Sequence, residues 1–181
     1  MNDFKTFIDT RDIEKINEFY RGGFYGSVTM YIMEKVQEPL RETKDLKNPN
    51  VSLYDTENLY EYMVANGKGF GTPDPVEKIL DDLEKPNSRI YVFRVKGKIV
   101  SSVTVWDEGE DAIATENIFT LPKFRGKGYA TAVLQEALND AYKRGRMKAL
   151  LTVYASDVEA VRMYYKFGYK ITRILQEFRH E

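Results

Sequence analysis

The residues best able to do chemistry in this 181-residue chain lie between Ile118 and Thr131. An apolar run, Ile118-Phe119-Thr120-Leu121, meets Pro122. The turn Lys123-Phe124-Arg125-Gly126-Lys127-Gly128 then leads into Tyr129-Ala130-Thr131 and a long segment of helical apolar spacing. A strand that passes through such a turn into a helix gathers unpaired backbone N–H groups at the positive end of a helix dipole, which is an anion site. Gly126 and Gly128 leave room for a phosphate against the backbone, where a Cβ would intrude. Arg125 and Lys127 add positive charge. A basic connection that only uses a glycine to start a helix reads the same residues equally well. A nucleoside-triphosphate loop does not fit, because Gly128 follows Gly126-Lys127 where Ser or Thr is required, and Leu121 occupies the leading glycine position.

Other chemistries lack their residues. The chain has no cysteine, which removes disulfides, a thiolate nucleophile and thiolate zinc sites. Its one histidine, His180, sits beside the C-terminus, so a histidine metal cluster or a serine triad is implausible and no metal is expected. Gly67-Lys68-Gly69-Phe70-Gly71-Thr72-Pro73 is the most glycine-rich stretch, but its spacing matches no phosphate motif and no strand leads into it; it reads as a mobile connecting loop. Asn50-Val51-Ser52 matches a glycosylation sequon by chance. Met1 to Thr10 lacks the layout of a signal peptide and no apolar run is long enough to span a membrane, so a soluble, cytoplasmic protein is expected. The net charge of −1 hides an asymmetry: residues 1–88 hold 11 Lys/Arg against 17 Asp/Glu, and residues 89–181 hold 16 against 11. That pattern is compatible with an anionic cofactor meeting a cationic substrate, and equally with uneven solvated charge. It does not indicate nucleic-acid binding.

The elements that must position the turn follow from periodicity. Residues 3–8 read as a short strand and 11–20 as a helix capped by Asp9 or Thr10. A second helix is expected after Ser27, through Met30, Ile32, Met33 and Val36, ending near Pro39; residues 40–55 read as a loop. Thr56 is expected to cap a short helix carrying Leu59, Tyr60, Met63 and Val64, and Pro75 to open a helix reaching Lys85. From residue 89 the reading is strands 89–95 and 98–106 joined by Lys96-Gly97, a third strand 112–120, a helix over 128–144, a strand 148–154, a helix from the Ser156–Glu159 capping box to Phe167, and a strand 169–178.

Arg125-Gly126-Lys127-Gly128-Tyr129-Ala130 resembles the Q/R-x-x-G-x-G/A motif of the GNAT superfamily of CoA-dependent N-acetyltransferases. Asp157 through Tyr169 is similar to that family's N-x-x-A-x-x-x-Y-x-x-x-G-F segment, matching at Ala160, Tyr164 and Gly168, with Tyr169 as the aromatic. The element order from 89 to 178 is also the family's. The resemblance implies an α/β (α+β) fold: one domain with a mixed, mostly antiparallel sheet flanked by helices on both faces. Residues 1–88 would form an elaborated helical substrate-side region and 89–178 the acetyl-CoA-binding core.

The same resemblance implies site roles. Backbone groups of Ile118, Phe119 and Thr120 would pair with the pantetheine arm. Backbone amides from Gly126 through Lys127, Gly128, Tyr129 and Ala130 to Thr131, beside Arg125, would cradle the pyrophosphate. Tyr164 matches the family's general acid, and a phenol with pKa about 10 can donate to a departing thiolate. Asp157 stands where the family has Asn; an ionised carboxylate only accepts, and in the first helical turn it is also favourable charge. Thr152 sits where some relatives carry a glutamate. Glu116 is therefore the candidate base, directly or through water, against a plain solvent-facing strand glutamate. The expected activity is acetyl transfer from acetyl-CoA to a primary amine, small and cationic or on a peptide, by direct attack in a ternary complex. The alternative is a catalytically silent acyl-CoA-binding sensor. Neither nucleic acid nor membrane is expected as a partner; a homodimer is compatible with the reading.

Overall fold

A computed structural model describes residues 5–36, 48–57, 59–71 and 76–180. In chain order the elements are β1 (Lys5–Asp9), α1 (Ile13–Arg21), β2 (Tyr25–Val36), β3 (Val51–Leu53), α2 (Tyr60–Phe70), α3 (Val76–Glu84), β4 (Arg89–Val95), β5 (Lys98–Glu108), β6 (Ala112–Thr120), α4 (Tyr129–Lys143), β7 (Lys148–Tyr154), α5 (Val158–Lys166) and β8 (Lys170–Arg179). The fold is mixed α/β, and its strand pairing is mostly antiparallel. The chain divides into two compact units, residues 36–149 and residues 1–35 with 150–181.

In the unit of residues 36–149 the strand order is β6-β5-β4-β3. Nine consecutive residues of β5, Ile99 to Asp107, are buried, the pattern of a strand covered on both faces. The alternation of β4 shows how. Ile90 and Val92 join Tyr62, Ala65, Ile79, Ile99 and Phe119 in one core beneath α2 and α3. Tyr91 and Phe93 turn to the other face, where the Tyr91 hydroxyl donates to Asp140 of α4 at 2.6 Å and the Phe93 ring stacks on Tyr129 at 4.3 Å. From α4, Val133, Leu134, Ala137, Leu138 and Ala141 are buried, the expected apolar stripe. Lys96 (φ 50) and Gly97 (φ 77) make the tight β4–β5 turn, as their residue types require.

A charged network closes one end of this unit. Asp107, 6% exposed, accepts from Arg144 at 2.8 Å, Asn87 at 2.8 Å and Arg146. Burial by itself would raise its pKa, but these donors outweigh burial and hold the carboxyl below its ordinary value.

In the other unit the strand order is β1-β8-β2-β7. β8 is the shared partner: β1 pairs with its C-terminal half, from Lys5 opposite Arg179 to Asp9 opposite Leu175, and β2 runs along it from Tyr25 opposite Arg179 to Glu34 opposite Lys170. Asp12, rather than the expected Asp9 or Thr10, caps α1 by accepting from the Lys15 N–H, because the helix starts only at Ile13. Phe19 and Tyr20 of that helix lie 5.6 and 5.2 Å from the buried ring of Phe178.

Four further expectations are corrected. The helix expected after Ser27 is strand β2, because Val, Thr, Tyr and Ile dominate the segment and its backbone pairs with β8. Inside the expected 40–55 loop, Val51–Leu53 adds a strand to β4. Gly67 to Phe70 is the end of α2, and the chain leaves the helix only at Gly71 (φ 80). Thr56 does not cap that helix, whose first residue is Tyr60 and which has no side-chain cap. Pro39, Thr72, Pro73 and Pro75, to which turns and helix ends were assigned, lie outside the described residues.

Candidate active site

The phosphate-loop candidate is built by the exit from β6. The Leu121 N–H donates to the Val100 carbonyl at 2.8 Å, which ties the chain to β5, and Pro122–Phe124 make one 3₁₀ turn. Gly126 (φ 72) and Gly128 (φ 78) then both take left-handed backbone, where a side chain would be strained. A Cβ built on either would meet no atom within 4 Å, so the space before this turn is open. Gly128 opens α4 with no side-chain cap. The N–H groups of the first helical turn therefore depend on solvent or a ligand for partners.

Arg125 does more than add charge. Its Nε donates to the Thr120 carbonyl at 3.1 Å and its Nη2 to the Gly69 carbonyl at 2.9 Å, bracing the turn against the end of α2. Lys127 is exposed, its Nζ 5.5 Å from the Phe124 ring. Tyr129 is held by its stack on Phe93. Arg125, Gly126, Lys127, Gly128, Tyr129, Ala130 and Thr131 thus form one connected, accessible surface at the start of a helix.

β6 carries an irregularity at the place where backbone pairing with a ligand was expected. Its register on β5 runs Thr104 opposite Glu116 and then Ser102 opposite Phe119, so Asn117 and Ile118 together face Val103. Asn117 has φ 49, and its side chain donates to the buried Asp82 of α3 at 3.0 Å. Such a bulge bends a strand and re-aims the groups that follow, here Ile118, Phe119 and Thr120. Glu116 is half-buried, and directly opposite strand residues share a face. Glu116 thus lies on the face of Thr104, whose hydroxyl is 3.1 Å from that of Tyr62 in α2. Sequence reasoning singled out neither Asn117 nor Asp82; an Asn in mid-strand, a poor strand former, is the signal that marked the bulge.

Tyr164 and Asp157 belong to the unit of residues 1–35 and 150–181. Asp157 Oδ1 accepts from the Ala160 N–H at 3.1 Å and caps α5, which corrects the capping box that made Ser156 the cap and placed Asp157 within the first turn. Tyr164 is 7% exposed, with its ring edge-on to Tyr169 at 5.8 Å. Burial, and then the charge of Asp157, raise its pKa above that of a free phenol. The group is a proton donor throughout the neutral range. Thr152 and Tyr154 of β7 are exposed.

Two left-handed glycines with open space before them, an uncapped helix start and two cationic side chains fit a diphosphate, and this is the binding chemistry the turn can offer. No cluster of metal-ligating groups occurs among the described residues, nor any helix long and apolar enough to cross a membrane.

The chain is 23% identical over 139 residues to the uncharacterized N-acetyltransferase YjgM of Escherichia coli, covering 74% of this chain and 83% of that protein. It is 28% identical over 100 residues to an uncharacterized N-acetyltransferase of Methanocaldococcus jannaschii, covering 52% of this chain and 44% of that one. Among solved structures, a GCN5-related N-acetyltransferase from Sphaerobacter thermophilus superposes with a TM-score of 0.76 at 20% identity, over 99% of this chain and 59% of that one. The chain thus spans less than two thirds of the length of two of these three. Residues 52–169 match the family described as Acetyltransferase (GNAT) family, a stretch that holds both the glycine turn and Tyr164, and the chain belongs to that family of acyltransferases.

Proposed function

We propose that this chain is an N-acetyltransferase that transfers an acetyl group from acetyl-CoA to a primary amine by direct attack in a ternary complex. The observation that carries the reading is the uncapped start of α4, with open space before the left-handed Gly126 and Gly128. In this reading the amides from Gly126 to Thr131, with Lys127, hold the diphosphate, and the bulged backbone of Ile118, Phe119 and Thr120 orients the arm. Acetyl-CoA, when bound, supplies an activated thioester.

The remaining chemistry belongs to the side chains. A neutral amine forms the new C–N bond as the C–S bond breaks. Tyr164 gives its phenolic proton to the sulfur, and Glu116, directly or through water, takes the proton lost by the amine. The phenol stays protonated through the neutral range, as the first task requires. The charge stays balanced, and no covalent intermediate on the protein is involved. The acidic excess of residues 1–88 supports a cationic acceptor, such as a polyamine, an amino sugar, or a lysine or terminal amine of a peptide.

Thiol release measured over a panel of amines, beside calorimetric titration with CoA, tests the proposal. Tyr164→Phe should lower kcat while CoA affinity holds; unchanged turnover removes Tyr164 from the mechanism. Acceptors found only among neutral or acidic amines remove the cationic-substrate reading. The near-complete burial of Tyr164 favours one other function, a silent acyl-CoA-binding sensor. CoA binding without turnover on any amine would select it.

A further inference from the structure

The unit of residues 36–149 holds a concavity that differs in chemistry from the α4 turn and adjoins it through Leu121 and Phe124. It is a cavity of about 720 Å³ between α2 and the β4–β5 turn, within the size range of small-molecule sites. Its wall is aliphatic. Val64 and Ala65 contribute from α2, Val95, Ile99 and Val100 from the two strands, and Leu121 with Phe124 close the far end. Val64 keeps 38% of its surface exposed although it faces this wall, so the concavity leaves apolar area uncovered.

Its charge is one-sided. Lys68, Lys96 and Lys98 stand at the rim with a single carboxylate, Glu61. That carboxylate is already matched: Arg94 donates to both of its oxygens, at 2.9 and 3.0 Å, and to the Gly97 carbonyl at 2.7 Å. The hydrogen bonds from Arg94 outweigh burial and hold the Glu61 pKa below its ordinary value, so the pair stays ionised and neutral overall. The three lysines form no ion pair among the described residues.

An aliphatic wall rimmed by three unmatched ammonium groups selects a ligand with an alkyl body and an anionic head. A cationic amine would be repelled at the rim. A nucleotide base would find one aromatic ring, Phe124, and little else to stack on. We infer that this cavity is a binding site for a medium-chain fatty carboxylate, its chain against Val64, Ile99 and Leu121 and its head at Lys68 and Lys98. Leu121 and Phe124 also belong to the segment leading into the loop proposed for CoA, but the inference does not depend on that loop binding CoA.

Calorimetric titration of the full chain with sodium octanoate, octylamine and acetate tests the inference. Octanoate should bind saturably, one per chain, while octylamine (same tail, opposite head) and acetate (same head, no tail) should not. Lys68→Glu combined with Lys98→Glu should weaken octanoate binding about tenfold or more. Both side chains are exposed, so the thermal midpoint and the CoA affinity of the variant should match those of the wild type. No octanoate binding, equal binding of octylamine, or unchanged octanoate affinity in the charge-reversed protein would each overturn the assignment. The comparison of octanoate with octylamine uses wild-type protein only and decides the matter even if the variant misfolds.

Discussion

Gly128→Ala separates backbone strain from ligand binding. Gly128 has φ 78, and its added Cβ would meet nothing within 4 Å. The stability cost is therefore conformational alone. Alanine in the left-handed region costs about 1–2 kcal/mol. The stiffer unfolded chain offsets about 0.4–1 kcal/mol of that. A net loss of about 1 kcal/mol remains, or about 2–4 °C in thermal midpoint for a chain of this size. Gly109 is the matched control: it has φ 67, an equally open Cβ position, and sits in the β5–β6 turn. Gly109→Ala should cost the same stability. The two variants should part in CoA affinity. A methyl group before the helix start displaces a charged ligand from backbone donors worth about 1.5–3 kcal/mol each, so Gly128→Ala should weaken CoA about tenfold to hundredfold. Gly109→Ala should leave CoA binding unchanged. Thermal melts and calorimetry on the three proteins give the answer. If Gly128→Ala loses the expected stability yet binds CoA as the wild type does, the diphosphate is not held at α4 and the assigned site is wrong.

Three further outcomes follow from the packing. Asp107→Asn should destabilise by about 1.5–3 kcal/mol, because Arg144 and Arg146 lose their charged hydrogen-bond acceptor. The Asp107 pKa is depressed in the folded state, so its stabilisation is full above the unfolded value of about 3.9 and fades as pH falls through the folded one; the gap between wild type and variant in urea melts should narrow below about pH 4. Gly69→Ala should destabilise despite the better helix propensity of alanine, by about 1 kcal/mol or more, because the new Cβ would lie 2.5 Å from the Phe119 ring; a more stable variant would contradict that packing. Burial, with Asp140 beside Tyr91 and Asp157 beside Tyr164, raises both phenols above the ordinary value. An alkaline absorbance titration should show Tyr91 and Tyr164 ionising after the exposed tyrosines among the 13. The linked stability is complete below about pH 10 and is lost above it, so those two should titrate together with unfolding.

Much of the candidate site was legible because its signals are local. Lys96-Gly97 demands a tight turn, the β-branched and aromatic run from Arg89 demands a strand, and Gly126 and Gly128 before a helical apolar stripe demand an accessible helix start. Each follows from the conformational range of a few adjacent residues, and β4, β5, β6, α4 and β7 stand within two residues of the bounds expected. The N-terminal half was less legible, because there a remote partner decides between two locally tolerable conformations. Tyr25–Val36 can be written on a helix or a strand, and pairing with β8, some 140 residues on, selects the strand.

By itself the sequence determined where the chain could present backbone donors to an anion, since glycine and a helix start act through their own dihedral angles. Only the tertiary structure decided what each side chain there is engaged with. Gly67 and Gly69 break helices in isolation, yet α2 runs through them because Gly69 packs directly on Phe119, where a Cβ has no room. Arg125 reads as a free charge, yet two carbonyls, one of them 56 positions away, hold its guanidinium. Tyr164 and Tyr165 are adjacent aromatics on one short helix, yet Tyr164 is buried while its neighbour is half exposed. Burial and partnership arise from contacts between distant segments, and no local pattern encodes them.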